Sequence, residues 1–368
     1  MPLISLLVGI LNPPELTENF LCWLANDLKN DDVELVIVCD GDSNVRTHRL
    51  LRDAERTASN IRVIFQENST GYGSANNLAA REAEGEILVF LNSDTFPTKG
   101  AVRALADLVK SDEQVGVAQG LLIYPHNLRV QSTGHVFGPY FNQHALAGRS
   151  IGAPIVRRAA DRQALTGAFY AVRRTHFIAN NGFDEFYLNA FEAMEFALKM
   201  HLKGFRCLYR PEAIAYHIQG GARRHFPMDE SQQIARFWSK WTSVIRQDLD
   251  DLLGQQISKA YEQQNYLIVN ASINRCWMRT LDKLHLRGDD VATLAGSEKY
   301  SLHEHLVPAI HRSTSPILFL TDRFAQIGEN LLWFSSRRDM NDLILDCHGN
   351  VITMAELLSP SPQAVIYP

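Results

Sequence analysis

Asn92-Ser93-Asp94 puts an amide, a hydroxyl and a carboxylate directly after the apolar run Ile87–Leu91. A short, wholly apolar run of this kind reads as a parallel strand covered on both faces. Ligands of open α/β sheets gather beyond the carboxyl ends of such strands. A carboxylate there can hold a hard cation through oxygen, and the cation can hold a phosphate. Upstream, the small polar stretch from Glu67 to Asn77, with Gly71 and Gly73, leads into a helical pattern at 78–83, and Gly85 feeds the strand. Small residues in that stretch let a backbone approach a nucleotide, and Asn76 and Asn77 are placed to cap the helix. Asp40 closes a second apolar run within Asp40-Gly41-Asp42-Ser43, which is turn chemistry in its own right. Thr166-Gly167, before another short strand, leaves room for the close approach of a ligand. Glu192 and Glu195 stand three apart, near one face of a helix, and Glu195 precedes Lys199 by four, the spacing of a plain ion pair. Two basic pairs, Arg157-Arg158 and Arg223-Arg224, read first as solvated charge, with phosphate binding the sharper alternative.

The elements that must position these residues alternate. Strands are expected at 3–11, 34–39, 61–66, 87–91 and 115–123, with helical patterns between them, notably 101–110. Strand–helix alternation with short connections calls for an α/β fold built on a mostly parallel sheet. Residues 124–164 read as irregular chain crossing the active face. A helix at 190–202 and two short strands at 206–209 and 213–217 follow. Beyond Met228 the pattern turns helical, with Trp238, Trp241, Ile245 and Leu249, and then Leu267, Ile268 and Trp277. The expected organisation is a catalytic domain at 1–227, a helical appendage at 228–287, and a small α/β segment at 288–368 that continues into a further domain. Within the last, 316–321 and 343–347 read as strands.

Composition narrows the class. The chain has 368 residues, a formal charge of −5 and five scattered cysteines without a Cys-x-x-Cys pair. A basic nucleic-acid footprint is absent. The cysteines read as reduced thiols of a cytoplasmic protein, not as a disulfide frame or a zinc site. The apolar stretch 3–11 is too short to span a bilayer and reads as the first core strand.

The succession of motifs resembles the inverting family-two glycosyltransferases with the GT-A fold. It comprises the Asn-x-Gly loop, the Ala-x-Gly turn, the strand closing on Asn92-Ser93-Asp94, Leu165-Thr166-Gly167-Ala168-Phe169 and Gly182-Phe183-Asp184-Glu185. Phe191-Glu192-Ala193-Met194-Glu195, Gly204-Phe205, Pro211-Glu212-Ala213 and His217 complete it over roughly residues 1–225. The resemblance implies a nucleotide-diphosphate sugar donor, a saccharide or lipid-linked saccharide acceptor, and Mg²⁺ or Mn²⁺ held by Asp94 and His217. It assigns Asp40 to the base, and Gly71, Gly73, Asn77, Asn92, Ser93, Thr166 and Gly167 to the donor. It is nearest to bacterial enzymes of surface polysaccharide synthesis, including rhamnosyltransferases, and implies a cytoplasmic location at the inner face of the cell membrane.

One position departs from the pattern. The family's helix opens Glu-Asp, and that aspartate is the usual base that deprotonates the acceptor. Here the residue is Ala193, between Glu192 and Glu195. Three readings stand: a neighbouring glutamate has taken over, the chain is inactive, or the alanine was introduced. A nucleotidyltransferase is disfavoured because Asn12-Pro13-Pro14 follows the first strand where a basic phosphate loop is needed. A non-catalytic sugar-nucleotide-binding subunit remains the other alternative.

Overall fold

The computed structural model describes residues 3–25, 27–41, 44–138, 141–218, 231–249 and 251–252. It also describes the stretches 267–270, 291–293, 316–321, 341–347 and 351–354. In chain order the elements begin with β1 (Ile4–Ile10), α1 (Pro14–Leu24), β2 (Val33–Asp40), α2 (Val45–Thr57), β3 (Ile61–Gln66) and α3 (Tyr72–Glu82). Next come β4 (Ile87–Leu91), β5 (Thr95–Pro97), α4 (Ala101–Ser111), β6 (Val115–Ile123), β7 (Val130–Ser132), β8 (His135–Gly138) and β9 (Phe141–His144). Then follow β10 (Ala160–Asp161), β11 (Phe169–Arg173), α5 (Arg174–Ala179), α6 (Glu192–Leu202), β12 (Arg206–His217) and α7 (Ser231–Trp241). The last are β13 (Leu267–Asn270), β14 (Val291–Thr293), β15 (Ile317–Thr321), β16 (Leu343–Asp346) and β17 (Val351–Thr353).

The chain divides into two compact units. The first is Met1–His135 with Ile151–Ile245, and the second is Val136–Ser150 with Arg246–Pro368. In the first, the described strands form one sheet in the order β10-β12-β6-β11-β4-β1-β2-β3, with β5 paired to β12 and β7 to β6. Strands β4, β1, β2 and β3 run parallel, as do β6 and β12; β11 is antiparallel to both β4 and β6. This is the mostly parallel α/β sheet the alternation calls for. Its central strands are apolar throughout because helices cover both faces: β4, read as Ile-Leu-Val-Phe-Leu, is fully buried along its length. Local signals set the helices. Pro14 opens α1, where its missing N–H costs nothing. The Asn44 side chain caps α2 by accepting from the Arg46 and Thr47 amides.

Several expectations are corrected. The segments 206–209 and 213–217 are one strand, β12, whose pairing with β6 slips between Arg210 and Ile214. Pro211 lies in that slip and has no N–H for the ladder. The stretch 124–164 contains the short strands β7 to β10. Asn76 and Asn77 lie inside α3, whose N-cap is Gly71. Leu267–Asn270, placed in a helical stretch by spacing, is a strand: four residues are too few for periodicity to distinguish the two, and Leu-Ile-Val favours the strand. In the second unit, β14-β13-β15-β16-β17 form a sheet that is parallel except for β17. The segments read as strands at 316–321 and 343–347 are its β15 and β16. Trp277 and Arg223-Arg224 lie outside the described residues.

Candidate active site

Parallel strands end on one edge, and the sheet order brings that edge's residues together. Asp40 ends β2, Asn92-Ser93-Asp94 follows β4, and His217 ends β12. Since β11 runs the other way, its beginning lies on the same edge, so 166–168 joins the group. Asp94 and His217 are 5% and 8% exposed, and Asp94 Oδ1 stands 3.2 Å from His217 Nε2. The strand pairing enforces this approach: β5 pairs antiparallel with β12, matching Thr95 to His217, and the Ile218 amide donates to the Asp94 carbonyl. Asn92 Nδ2 lies 3.3 Å from the same imidazole nitrogen. Asn92 is also tied back by its amide to the Ala168 carbonyl, and the Ser93 carbonyl accepts from Asn12 Nδ2.

This pair fits a hard divalent cation. Neighbouring ligands of an octahedral ion, each about 2.1 Å from the metal, stand about 3.0 Å apart. Among the described residues no group of three or more His, Cys, Asp or Glu side chains converges. A set of two protein ligands suits a cation whose other positions are taken by phosphate oxygens and water.

Asp40 does something narrower than expected. One carboxylate oxygen accepts from the Thr70 amide and hydroxyl at 2.7 and 3.0 Å. The other accepts from the Ser69 hydroxyl and the Gly71 amide at 2.8 and 3.1 Å. Four donors fill the lone-pair sites of a carboxylate, so Asp40 shapes the loop. Gly71 answers a backbone demand: its φ is 89°, and a Cβ there would lie 2.4 Å from the Leu188 carbonyl oxygen. Asn77 is likewise spent on structure. Its amide oxygen accepts from the Phe183 amide, and its nitrogen donates to the Phe183 carbonyl and to Glu185. It thereby fixes the Gly182–Glu185 turn.

The far side of the site is the N-terminus of α6. Gly167 is closely enclosed: a Cβ there would lie 2.5 Å from the Tyr72 hydroxyl and 3.0 Å from the Ala193 Cβ. The Tyr72 hydroxyl donates to the Gly167 carbonyl at 2.9 Å. Burial, reinforced by the charge of nearby Glu192, pushes the Tyr72 phenol well above its ordinary range, so it stays protonated. Glu192, 4% exposed, opens α6 and packs against Gly73, where a Cβ would meet its Cγ at 3.2 Å. Ala193 follows it, its methyl group aimed at Gly167. Phe191, just before, holds a left-handed φ of 73°, costly for a bulky side chain. Its ring stacks on Phe237 of α7, centroids 4.7 Å apart, and α7 thereby secures the helix start.

Glu195, expected beside Glu192 in the chemistry, is committed elsewhere. It is fully buried, and its carboxylate takes Lys240 at 2.7 Å, Lys199 at 3.1 Å and the Trp241 indole N–H at 3.2 Å. Burial alone would raise its pKa, but the hydrogen bond from Lys240, the nearby Tyr187 hydroxyl and the charge of Lys199 hold it below the ordinary carboxylate value. Arg157 and Arg158 are exposed. Two buried glutamines escaped the sequence reading. Gln119, fully buried in β6, accepts from the Thr166 amide at 2.8 Å and donates to Ser132, thereby setting the 166–168 turn. A polar residue inside an otherwise apolar strand was its signal. Gln131 contacts His217 Nδ1 at 2.5 Å, and no spacing pointed to it.

The comparisons agree in kind. O-antigen biosynthesis protein RfbC of Myxococcus xanthus is 24% identical over 253 residues, 66% of this chain and 19% of that protein. Protein y4gI of Sinorhizobium fredii is 27% identical over 211 residues, 55% of this chain and 23% of that protein. The chain thus spans about a fifth of the length of these curated relatives. A mannosyltransferase of Pyrobaculum calidifontis, solved with GDP-Man and Mn²⁺, aligns over 71% of this chain and 64% of its own, with 19% identity and a TM-score of 0.45. Residues 5–162 match the profile of Glycosyl transferase family 2. That stretch, with Asp40, the Gly71 loop and Asp94 inside it, is similar to that family.

Proposed function

We propose that this chain moves a sugar from a nucleotide-diphosphate donor to a saccharide or lipid-linked saccharide acceptor, with inversion, in the synthesis of a bacterial surface polysaccharide. The observation that carries it is the convergence of Asp94 Oδ1 and His217 Nε2 at the carboxyl edge of the sheet, beside Asn92, whose amide is held by the Ala168 carbonyl. Asp94 and His217 would hold Mg²⁺ or Mn²⁺. Such a cation, when bound, supplies Lewis acidity that offsets the charge growing on the departing diphosphate. The Asp40-ordered loop and the strand end of Asn92 and Ser93 would take the nucleotide diphosphate. Gly73 and Gly167, expected to leave room for the donor, are instead packed on Glu192 and on Tyr72 and Ala193, so they fix the walls of the site. The P. calidifontis enzyme's GDP-Man and Mn²⁺ accord with this class of ligand. Among the described residues no helix is long and apolar enough to cross a membrane.

Deprotonation of the acceptor is the weak point. Ala193 offers no proton acceptor, and Glu195 is engaged with two lysines and an indole. Glu192 is the carboxylate left at the helix start, so slow transfer through Glu192 is the expected behaviour. The same observation favours a second reading, a subunit that binds a sugar nucleotide without turning it over. Incubation with a panel of nucleotide sugars and saccharide acceptors, for this chain and for Ala193→Asp, separates the two. Slow transfer in the first and faster transfer in the second supports the enzyme; donor binding without transfer in both supports the binding subunit.

A further inference from the structure

Gln131 lies where regular pairing would not put it. Strand β7 pairs with β6 through Ser132 to Leu122 and Val130 to Ile123, so Gln131 is the extra residue of a β-bulge. Bulges re-aim a side chain, and this one, 2% exposed, is turned toward His217. The Gln131 amide nitrogen donates to the His217 carbonyl at 3.3 Å, while its amide oxygen lies 2.5 Å from His217 Nδ1. The polarity follows from the carbonyl. A backbone carbonyl only accepts, so the amide nitrogen must face it and the amide oxygen must face the ring. An amide oxygen only accepts as well, so Nδ1 must carry hydrogen. In the neutral ring the other nitrogen then presents a lone pair. That nitrogen is Nε2, 3.2 Å from Asp94 Oδ1 and within reach of the Asn92 amide.

We propose that Gln131 is a positioning residue that fixes the His217 proton on Nδ1, so that the Nε2 lone pair faces the Asp94 carboxylate as a ligand. The inference deepens the cation site proposed above and concerns only this chain's own hydrogen bonds. Partners of this kind on the far nitrogen of a ligating histidine fix its tautomer and orientation. The test is ¹⁵N-edited NMR of the metal-free protein, read in the pH range where the ring signals no longer change with pH, with the His217 signals identified by their loss in His217→Ala. The expected wild-type ring is protonated on Nδ1, and Gln131→Leu shifts protons to Nε2. Titration with Mn²⁺ alone, followed by the loss of free-ion EPR signal, should show binding weakened about 10–100-fold in Gln131→Leu, and no further loss when Gln131→Leu is added to His217→Ala. An Nε2-protonated wild-type ring would overturn the proposal, as would an unchanged tautomer in Gln131→Leu. Should that variant not fold, the wild-type spectrum alone decides. An Nδ1-protonated ring with Mn²⁺ binding indifferent to His217→Ala leaves the role of Gln131 standing and overturns the cation site instead.

Discussion

The two sides of the candidate site are equipped unequally. On the donor side, Asp94, His217 and Asn92 converge on one spot, and buried glutamines hold the elements behind them. On the acceptor side, α6 is anchored with equal care, by Phe191 on Phe237 and by Glu195 on Lys240 and Trp241, yet the residue it delivers is a methyl group. On the proposed reading, holding a donor and activating an acceptor rest on separate parts of the site, and each should be alterable with the other intact. Damage on the donor side should abolish both binding and transfer, whereas a repair on the acceptor side should change turnover alone.

The largest effect is expected at Asp94. Asp94→Ala removes the strand-end carboxylate and with it several kcal/mol of charge stabilisation, so transfer should fall about 10³-fold or more. Calorimetric titration with a nucleoside diphosphate should lose its Mn²⁺ dependence. A titration that keeps that dependence would remove Asp94 from the cation site. Next in size, Ala193→Asp should raise turnover by about 10²–10⁴, the usual worth of a positioned base, with donor affinity unchanged. A carboxylate there would lie in the first turn of α6, at the positive end of the helix dipole. If the alanine protein already turns over at full rate, the base lies elsewhere, and a collapse in Glu192→Gln would identify it.

A smaller effect is expected at Asp40, and it probes the donor side from behind. Since its four hydrogen bonds all go to Ser69, Thr70 and Gly71, Asp40→Ala should loosen that loop and weaken donor binding by about 1–3 kcal/mol, with the fold kept. Discrimination among bases should not change. A selective loss for one base would show that Asp40 reads the nucleotide directly after all.

These contrasts mark what the sequence could disclose. The sheet was legible because apolar runs such as 87–91 and 115–123 are bounded by Gly, Asn and Asp, and because short strands alternate with amphipathic helices. Asp94 was legible for the same reason: a carboxylate just past a buried strand has a defined place in any open α/β sheet. The roles of Asn77, Glu195 and Gln131 were not. Each depends on a partner far along the chain, at Phe183, Lys240 and His217 respectively, and spacing along a helix or strand carries no information about such pairs. Glu195 shows the point most plainly, since its spacing to Lys199 announced an ordinary ion pair while its burial comes from α7.

That burial yields the smallest prediction and tests whether Glu195 belongs to the anchoring or to the chemistry. Its folded pKa is lowered from an ordinary 4.5 because the hydrogen bond from Lys240, with Tyr187 and Lys199 nearby, outweighs burial. A depressed carboxylate contributes stability that is fully present above its unfolded value, near 4.5, and that is lost as pH falls through the lower folded value. Glu195→Gln should therefore cost about 1–3 kcal/mol at neutral pH, as for hydrogen bonds to a charged group. The lower part of that range is favoured because Lys240 is 41% exposed and water replaces part of what it loses. Denaturant unfolding of both proteins should show the gap narrowing as pH drops below about 4.5, since the unfolded carboxylate then takes up a proton and the folded one does so only at its lower value. A gap that stays constant into acid would trace the cost to packing and not to charge. Turnover should fall no further than the loss of α6 anchoring requires, so a Glu195→Gln protein of unchanged stability with transfer abolished would return Glu195 to the acceptor side as the base.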